Sequence, residues 1–183
     1  MFGDSLSAAY GIDPALGWVN LLRARLQSQG YKYQVVNASV SGETTAGGLA
    51  RLARALETQH PRIVVLELGA NDGLRALPLA EIRGNLDRML TLSRQAGRQV
   101  LLLGIHMPPN YGPRFTAEFD RVFVDLASQH KVPLVPFLLE HVADRPELMQ
   151  GDGMHPTAAG QPLVLDNVWP ALSKLLQTGA AKR

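Results

Sequence analysis

The sequence predicts an α/β domain in which helices cover both faces of a parallel sheet. Stripes of apolar residues at helical spacing alternate along the chain with short runs that are apolar almost throughout. Such runs are typical of strands buried on both faces. Alternating helices and strands indicate parallel pairing, because each right-handed crossover lays its helix against the sheet. The predicted architecture is therefore a three-layer α/β/α sandwich with a doubly wound sheet.

Four amphipathic helices are predicted from apolar residues that recur every three or four positions. Their stripes cover residues 18–26, 49–56, 82–90 and 115–126. We expect the second of these helices to begin near Thr45. Pro162 and Pro170 interrupt residues 157–177, so a helix there is expected to start late or to bend.

Four strands are predicted between the helices. Their apolar runs cover residues 33–36, 63–68, 100–105 and 132–135. A chain of 183 residues suits one hydrophobic core, so we expect a single domain over residues 1–183. Open α/β sheets place their sites at the carboxyl ends of the strands, which directs attention to the residues that follow each run.

Composition removes several classes of function. The 18 Lys and Arg residues are scattered and leave a net charge of only +2, so no nucleic-acid partner is expected. The absence of cysteine excludes thiolate catalysis and Cys-ligated zinc. No apolar run approaches the ~20 residues that cross a bilayer, so membrane insertion is not expected. Nucleotide-binding and zinc-protease motifs are also missing, and no cofactor or metal is predicted. The oligomeric state is not encoded in any pattern.

Four polar clusters open the chain or follow predicted strands. They are Gly-Asp-Ser-Leu-Ser at residues 3–7, Asn-Ala-Ser-Val-Ser-Gly-Glu at 37–43, Gly-Ala-Asn-Asp-Gly at 69–73 and Asp-Gly-Met-His-Pro at 152–156. Acyl transfer needs a nucleophile, a base, a group that orients the base, and donors for a developing oxyanion. The four clusters supply one residue for each of these tasks.

The residue types assign these tasks. Ser5 stands in a tight turn, where its hydroxyl can act as the nucleophile and its backbone N–H as a donor. His155 can accept the serine proton near neutral pH. Asp152 lies three residues earlier, so its carboxylate can reach Nδ1 of the same imidazole and fix its tautomer. The Gly42 backbone N–H and the Asn71 side-chain amide complete a predicted oxyanion hole of three donors.

The order and spacing of the clusters resemble those of the GDSL, or SGNH, hydrolases. The blocks are Ser5 in Gly-Asp-Ser-Leu, Gly42 after Asn-Ala-Ser, Asn71 in Gly-x-Asn-Asp and His155 in Asp-x-x-His-Pro. The resemblance is strongest to the bacterial multifunctional thioesterase, arylesterase and lysophospholipase group. It implies a five-stranded parallel sheet in flavodoxin-like order and the same residue roles, with Asp152 as third triad member. It also implies that a small-molecule acyl ester or thioester is hydrolysed through an acyl-enzyme, without a cofactor.

The resemblance also suggests where substrate binds. In the resembling group, a loop after the third block and the loop at residues 106–113 shape an acyl groove. On this basis Leu74, Met107, Pro108 and Tyr111 are predicted to contact substrate. Residues 106–113 also fit a connector that is merely stiffened by proline.

One departure from the family pattern concerns the start of the chain. Only Met1 and Phe2 precede the Gly-Asp-Ser turn, whereas the family has an apolar first strand there. We therefore expect a longer natural protein whose upstream part carries a secretion signal. The expected location of that full-length form is the periplasm or the exterior of the cell.

Two other functions fit parts of the pattern. Asp4, Asp152 and His155 could hold a divalent metal in a phosphoesterase, although Gly42 and Asn71 would then have no task. A non-catalytic α/β module that binds a ligand would keep the same rim of residues without the chemistry. The remaining histidines of interest are expected to face solvent and receive no role: His60, His130 and His141.

Overall fold

Four parallel strands form the sheet in the computed structural model, which describes residues 1–180. They are β1 (Phe2–Gly3), β2 (Ile63–Glu67), β3 (Gln99–Leu103) and β4 (Leu134–Val135). Their order in the sheet is β1-β2-β3-β4, and each neighbouring pair is parallel. Parallel neighbours require a crossover connection between them. The predicted α/β class is confirmed, and residues 181–183 of the predicted domain lie outside the described part of the chain.

The crossovers are helical. The α-helices of residues 1–180 are α1 (Trp18–Ser28), α2 (Thr45–Gln59), α3 (Ala70–Leu74), α4 (Leu79–Arg94), α5 (Pro113–His130) and α6 (Gln161–Ala180). The four predicted amphipathic helices are confirmed as α1, α2, α4 and α5. Helix α6 starts late, as expected, so that Pro162 lies in its first turn, where a missing N–H leaves no helical bond unmade. None of these helices is both long enough and apolar enough to span a membrane.

Successive residues of the central strands point into different hydrophobic clusters. Val64 and Leu66 pack with α2, α4 and α5, whereas Val65 packs with α1 and α6. Strand β3 follows the same alternation, because Val100 pairs with Val64 and Leu101 pairs with Val65. A strand that is apolar at every position thereby feeds two cores, one on each face of the sheet. This confirms the predicted three layers.

The predicted strand at residues 33–36 is not formed, so the described sheet has four strands rather than five. The chain does run beside β1, since the Met1 amino group donates to the Val36 carbonyl and the Val40 N–H donates to the Gly3 carbonyl. However, β1 contains only two residues, so this contact does not extend to residues 33–35. Residues 33–35 therefore have no strand beside them to complete a ladder.

A groove of about 670 Å³ separates this unpaired segment from β2. Tyr33 and Val35 line one side, and Ile63 and Val65 of β2 line the other, with Met1 between them. We call this cavity the strand-edge groove. It lies away from the carboxyl ends of the strands, where the polar clusters meet.

Candidate active site

Ser5, His155 and Asp152 form a continuous chain of contacts. Ser5 follows β1 in a turn in which the Ala8 N–H donates to the Asp4 carbonyl over 3.0 Å. The Ser5 Oγ lies 2.8 Å from Nε2 of His155, and Nδ1 of that ring lies 2.7 Å from Oδ2 of Asp152. The fold thus brings together three side chains from opposite ends of the sequence. A proton on Nδ1 leaves Nε2 free to accept the serine hydroxyl proton.

The loop around Asp152 prepares that carboxylate to hold the ring. Its Oδ1 accepts the N–H groups of Met154, at 2.9 Å, and of His155, at 3.1 Å. Gly153 has a φ of +67°, a left-handed conformation that favours glycine. Burial alone would raise the pKa of Asp152, but these hydrogen bonds and the His155 ring outweigh it and lower the pKa to about 2. Asp152 is therefore ionised at neutral pH.

Three hydrogen-bond donors lie around the serine turn. Within residues 1–180, the backbone N–H groups of Ser5 and Gly42 donate to no other residue. Gly42 has a φ of +78°, and a side chain there would be strained. Nδ2 of Asn71 donates to the Glu43 carbonyl over 3.0 Å and to Oδ2 of Asp4 over 3.2 Å. The amide of Asn71 thereby touches both the Ser5 turn and the Gly42 turn.

Asn71 is placed by the short helix α3, which follows β2. Gly69 begins this helix with a φ of +126°, so glycine is required at that bend. The next acidic residue, Asp72, is buried and accepts the Thr45 N–H at the start of α2 over 2.8 Å. A carboxylate at a helix N-terminus is favourable. Asp72 therefore fastens α3 to the start of α2.

Two residues that the sequence analysis did not select lie beside His155. The ring of Tyr10 lies 4.7 Å from the imidazole, centroid to centroid. Nε2 of Gln150 donates to the Tyr10 carbonyl and the Pro156 carbonyl, at 2.8 and 2.9 Å. Gln150 thereby ties the loop that carries Ser5 to the loop that carries His155. Neither residue belongs to a pattern that would have identified it.

Glu67 is a third residue that was missed. It is the last residue of β2, it is fully buried, and it lies beneath the serine turn. A signal was present in this case, because an acidic residue interrupts the otherwise apolar run of residues 63–68. Buried carboxyl groups are rare unless they have partners, so such a residue is a candidate for a specific role.

The four predicted substrate contacts have different surroundings. The Tyr111 hydroxyl donates to the Leu74 carbonyl over 2.8 Å, which fastens the loop of residues 106–113 to the end of α3. Pro108 is half-buried beside them. Met107 is buried in the core cluster that also contains Phe119, and its side chain packs against Gly73. Contact of any of these residues with substrate stays a prediction.

The prediction that the remaining histidines face solvent is correct for two of them and wrong for the third. His60 and His141 are exposed, as expected. For His130 the prediction is wrong, because its ring is buried and Nε2 lies 2.6 Å from Oδ1 of Asp87. That contact joins the end of α5 to α4, so packing between helices decided the position. Among residues 1–180, no three His, Asp or Glu side chains are grouped so that they could hold a metal ion.

Known proteins share this chain's sequence and fold over nearly its whole length. The family model described as "GDSL-like Lipase/Acylhydrolase" matches residues 1–163. Esterase TesA of Pseudomonas aeruginosa is 54% identical over 174 residues, which cover 95% of this chain and 87% of that protein. Thioesterase 1/protease 1/lysophospholipase L1 of Escherichia coli K12 is 42% identical over 166 residues, which cover 91% and 78%. The crystal structure of the psychrotrophic esterase EstA from Pseudoalteromonas sp., inhibited by monoethylphosphonate, has a TM-score of 0.91 at 39% identity and covers 96% of both chains.

Proposed function

The chain belongs to the GDSL-like lipase/acylhydrolase family, and on that premise we propose that it hydrolyses carboxylic esters and acyl thioesters through an acyl-enzyme on Ser5. Members of this family act on small-molecule esters. The observation that carries the assignment to Ser5 is the unbroken contact from its Oγ through His155 to Asp152, with distances of 2.8 and 2.7 Å. These are hydrogen-bond distances, so the proton can move without rearrangement.

In the acylation half, Ser5 Oγ attacks the carbonyl carbon of the substrate while its proton passes to Nε2 of His155. The carbonyl oxygen becomes an oxyanion, for which the donors are the N–H groups of Ser5 and Gly42 and the amide of Asn71. The tetrahedral intermediate collapses when the bond to the leaving alkoxide or thiolate breaks. The leaving group takes the proton from Nε2, and the acyl group stays on Ser5.

In the deacylation half, a water molecule attacks the acyl carbon and gives a proton to Nε2 of His155. The second tetrahedral intermediate releases the acid as the bond to Ser5 breaks, and Oγ recovers its proton. Asp152 keeps the Nδ1 proton in place throughout and stabilises the imidazolium that forms in each half. No step requires a group outside these residues, the substrate and water.

The amide of Asn71 has a particular constraint as a donor. Both of its Nδ2 hydrogens already have acceptors, the Glu43 carbonyl and the Asp4 carboxylate. An oxyanion would share one of these hydrogens, and the Glu43 carbonyl is the weaker competitor because it is neutral. The two bonds also fix the amide before substrate arrives, which is what preorganised stabilisation requires.

Aryl esters, acyl-CoA thioesters and lysophospholipids are the substrates that we propose to test first. The names of the relatives, an esterase and a thioesterase/lysophospholipase, support this range. Two large side chains beside the base are open to solvent, since Tyr10 is 52% exposed and Met154 is 43% exposed. An open rim of this kind accommodates leaving groups of different size. Leu74, Pro108 and Tyr111 are proposed to guide the acyl chain, with Met107 beneath them.

We propose, on the family resemblance alone, that the protein acts outside the cytoplasm. Fractionation of cells that produce the protein natively tests it. Enzyme recovered only in the cytoplasmic fraction would contradict it.

A reactive phosphonate ester tests the assignment of Ser5. The Ser5 Oγ–phosphorus bond forms as 4-nitrophenolate leaves, so a 4-nitrophenyl alkylphosphonate should label wild type once per chain. Mass spectrometry of the peptides should locate the label on Ser5 and find none in Ser5→Ala. Ser128→Ala, which changes an exposed serine on α5, is the matched control and should label normally.

The same experiment separates the alternatives. An unlabelled wild type that still binds an ester analogue would indicate a non-catalytic module. Hydrolysis of phosphate monoesters that is abolished by a chelator, without labelling, would indicate a metal-dependent phosphoesterase instead.

A further inference from the structure

The carboxyl group of Glu67 is fully buried and bonds to both sides of the nucleophile. Its Oε2 accepts the Asp4 N–H over 3.3 Å and the Ser7 hydroxyl over 2.7 Å. Asp4 precedes Ser5 directly, and Ser7 follows two residues later. Glu67 itself is fixed by β2, which pairs with β1 at Gly3. One carboxyl oxygen thus spans the turn from below.

The same group lies against a second buried carboxyl group. Asp4 is fully buried, and it meets Glu67 through its backbone N–H. Oδ1 of Asp4 accepts the Leu6 N–H over 3.0 Å, and Oδ2 accepts the Asn71 amide over 3.2 Å. The contacts therefore run from Glu67 through Asp4 to the proposed oxyanion donor.

We propose that Glu67 is a positioning residue that holds Ser5 and Asn71 in register with each other. It touches neither substrate nor the reacting atoms, and it acts through Asp4 and Ser7. The inference rests on the proposed role of Ser5 as nucleophile. It adds to that role a buried residue that none of the four sequence blocks contains.

The geometry argues against a role in stability alone. An acid without solvent costs free energy, and an apolar residue of similar size would fill the end of β2 more favourably. Every side-chain bond of Glu67 goes to the serine turn, and Oε1 has no hydrogen-bond partner among the described residues. The chain also makes room for the group at Gly3, where a Cβ atom would lie 2.5 Å from Oε2.

Burial beneath the serine turn favours the neutral form of both acids. Burial first, and then the charge of Asp4, raise the pKa of Glu67 well above its usual range. Burial also raises the pKa of Asp4, to about 6. Both carboxyl groups therefore hold their protons more tightly in the folded chain than in the unfolded one.

Two substitutions separate positioning from packing. Glu67→Gln keeps nearly the same volume and an oxygen that can accept from the Asp4 N–H and the Ser7 hydroxyl. Glu67→Leu keeps the volume and removes every hydrogen bond. The measurements are the second-order rate of Ser5 phosphonylation by a 4-nitrophenyl phosphonate, kcat for an aryl ester, and the thermal midpoint.

We expect Glu67→Leu to slow phosphonylation and kcat by ~10- to 100-fold, because displaced reacting groups cost rates of this order. Glu67→Gln should restore both rates to within about threefold of wild type. If Glu67→Leu does not fold, Ser7→Ala serves instead and should slow phosphonylation with the fold retained. Leu86→Ala, a core substitution in α4, is the control for lost stability and should react normally below its melting temperature.

Folded Glu67→Leu enzyme that reacts at the wild-type rate would overturn the proposal. So would a Glu67→Gln variant as slow as Glu67→Leu, because the hydrogen bonds that the amide oxygen keeps to Asp4 and Ser7 would then not position the turn. These failures differ from failure of the proposed function, in which wild type itself is not labelled on Ser5.

Discussion

At the residue scale, Asn71 is the donor whose loss is easiest to measure. Replacing it with Ala removes one preorganised N–H group, so kcat for an aryl ester should fall by ~100-fold or more, roughly 3 kcal/mol. Asn20→Ala on α1 is a suitable control, since Asn20 bonds only locally to the Pro14 carbonyl and to Arg23. Unchanged turnover in Asn71→Ala would remove Asn71 from the oxyanion hole.

Asp152 gives a second prediction at this scale. Asn in its place can donate to Nδ1 of His155, which favours the wrong tautomer of the ring, and kcat should fall by ~10³- to 10⁴-fold. The thermal midpoint should change little, since the side chain is partly exposed. Asp144→Asn, at an exposed position before the same loop, should leave kcat unchanged. A small effect of Asp152→Asn would show that another group orients the imidazole.

The sequence predicts contacts between functional residues where those residues lie close together along the chain. Asp152 and His155 stand three positions apart, and their predicted contact is present at 2.7 Å. The hydrogen bonds of Glu67, by contrast, are made with Asp4 and Ser7, which lie about sixty positions away in the sequence. Contacts between distant segments depend on the register of the sheet, which no local pattern specifies. The catalytic roles themselves stay predictions.

At the element scale, Gly104 controls how β3 approaches β4. A Cβ atom there would lie 2.2 Å from the backbone oxygen of Pro136, which cannot move aside as a side chain can. We expect Gly104→Ala to lower the free energy of unfolding by ~1–3 kcal/mol, the usual cost of overpacking. Gly84→Ala is the opposite case, because Gly84 is exposed within α4 and has open space around it.

Urea unfolding measures both changes. Gly84→Ala should raise the free energy of unfolding by ~0.5–1 kcal/mol through helix propensity. Equal effects of the two substitutions would contradict the close approach at Gly104.

Helices could be predicted from the sequence where their apolar residues recur at helical spacing over several turns. Helices α1, α2, α4 and α5 each present an apolar stripe over several turns. Helix α3 has only five residues, too few to show an apolar stripe, and it was not among the predicted helices. The run at residues 33–36 has the composition of a strand, but a strand forms only beside a partner, and β1 is too short to provide one.

At the scale of the whole molecule, the buried carboxyl pair makes stability depend on pH. The folded pKa of Asp4, about 6, exceeds its ordinary value of 3.8, and the pKa of Glu67 is also raised. Between pH 3.8 and about 6 the unfolded chain releases protons that the folded chain keeps. The contribution of the pair to the free energy of unfolding is therefore complete below about pH 4 and falls as pH rises towards 6. Asp152 acts in the opposite direction only at lower pH, between 3.8 and about 2.

Thermal midpoints of wild type and Glu67→Gln from pH 4 to 6.5 test this linkage. The decline of the midpoint with pH should be shallower in Glu67→Gln, which has one titrating carboxyl group fewer. Parallel curves for the two proteins would show that the pair ionises as freely in the folded chain as in the unfolded one.

The strand-edge groove has a consequence for how the sheet can be extended. Strand β1 covers β2 only at Leu66 and Glu67, so Ile63 and Val65 face an opening instead of a neighbour. Uncovered β edges are templates on which another polypeptide can add a strand. A further strand beside Ile63 and Val65 would therefore gain hydrogen bonds from β2 and apolar contacts with Tyr33 and Val35.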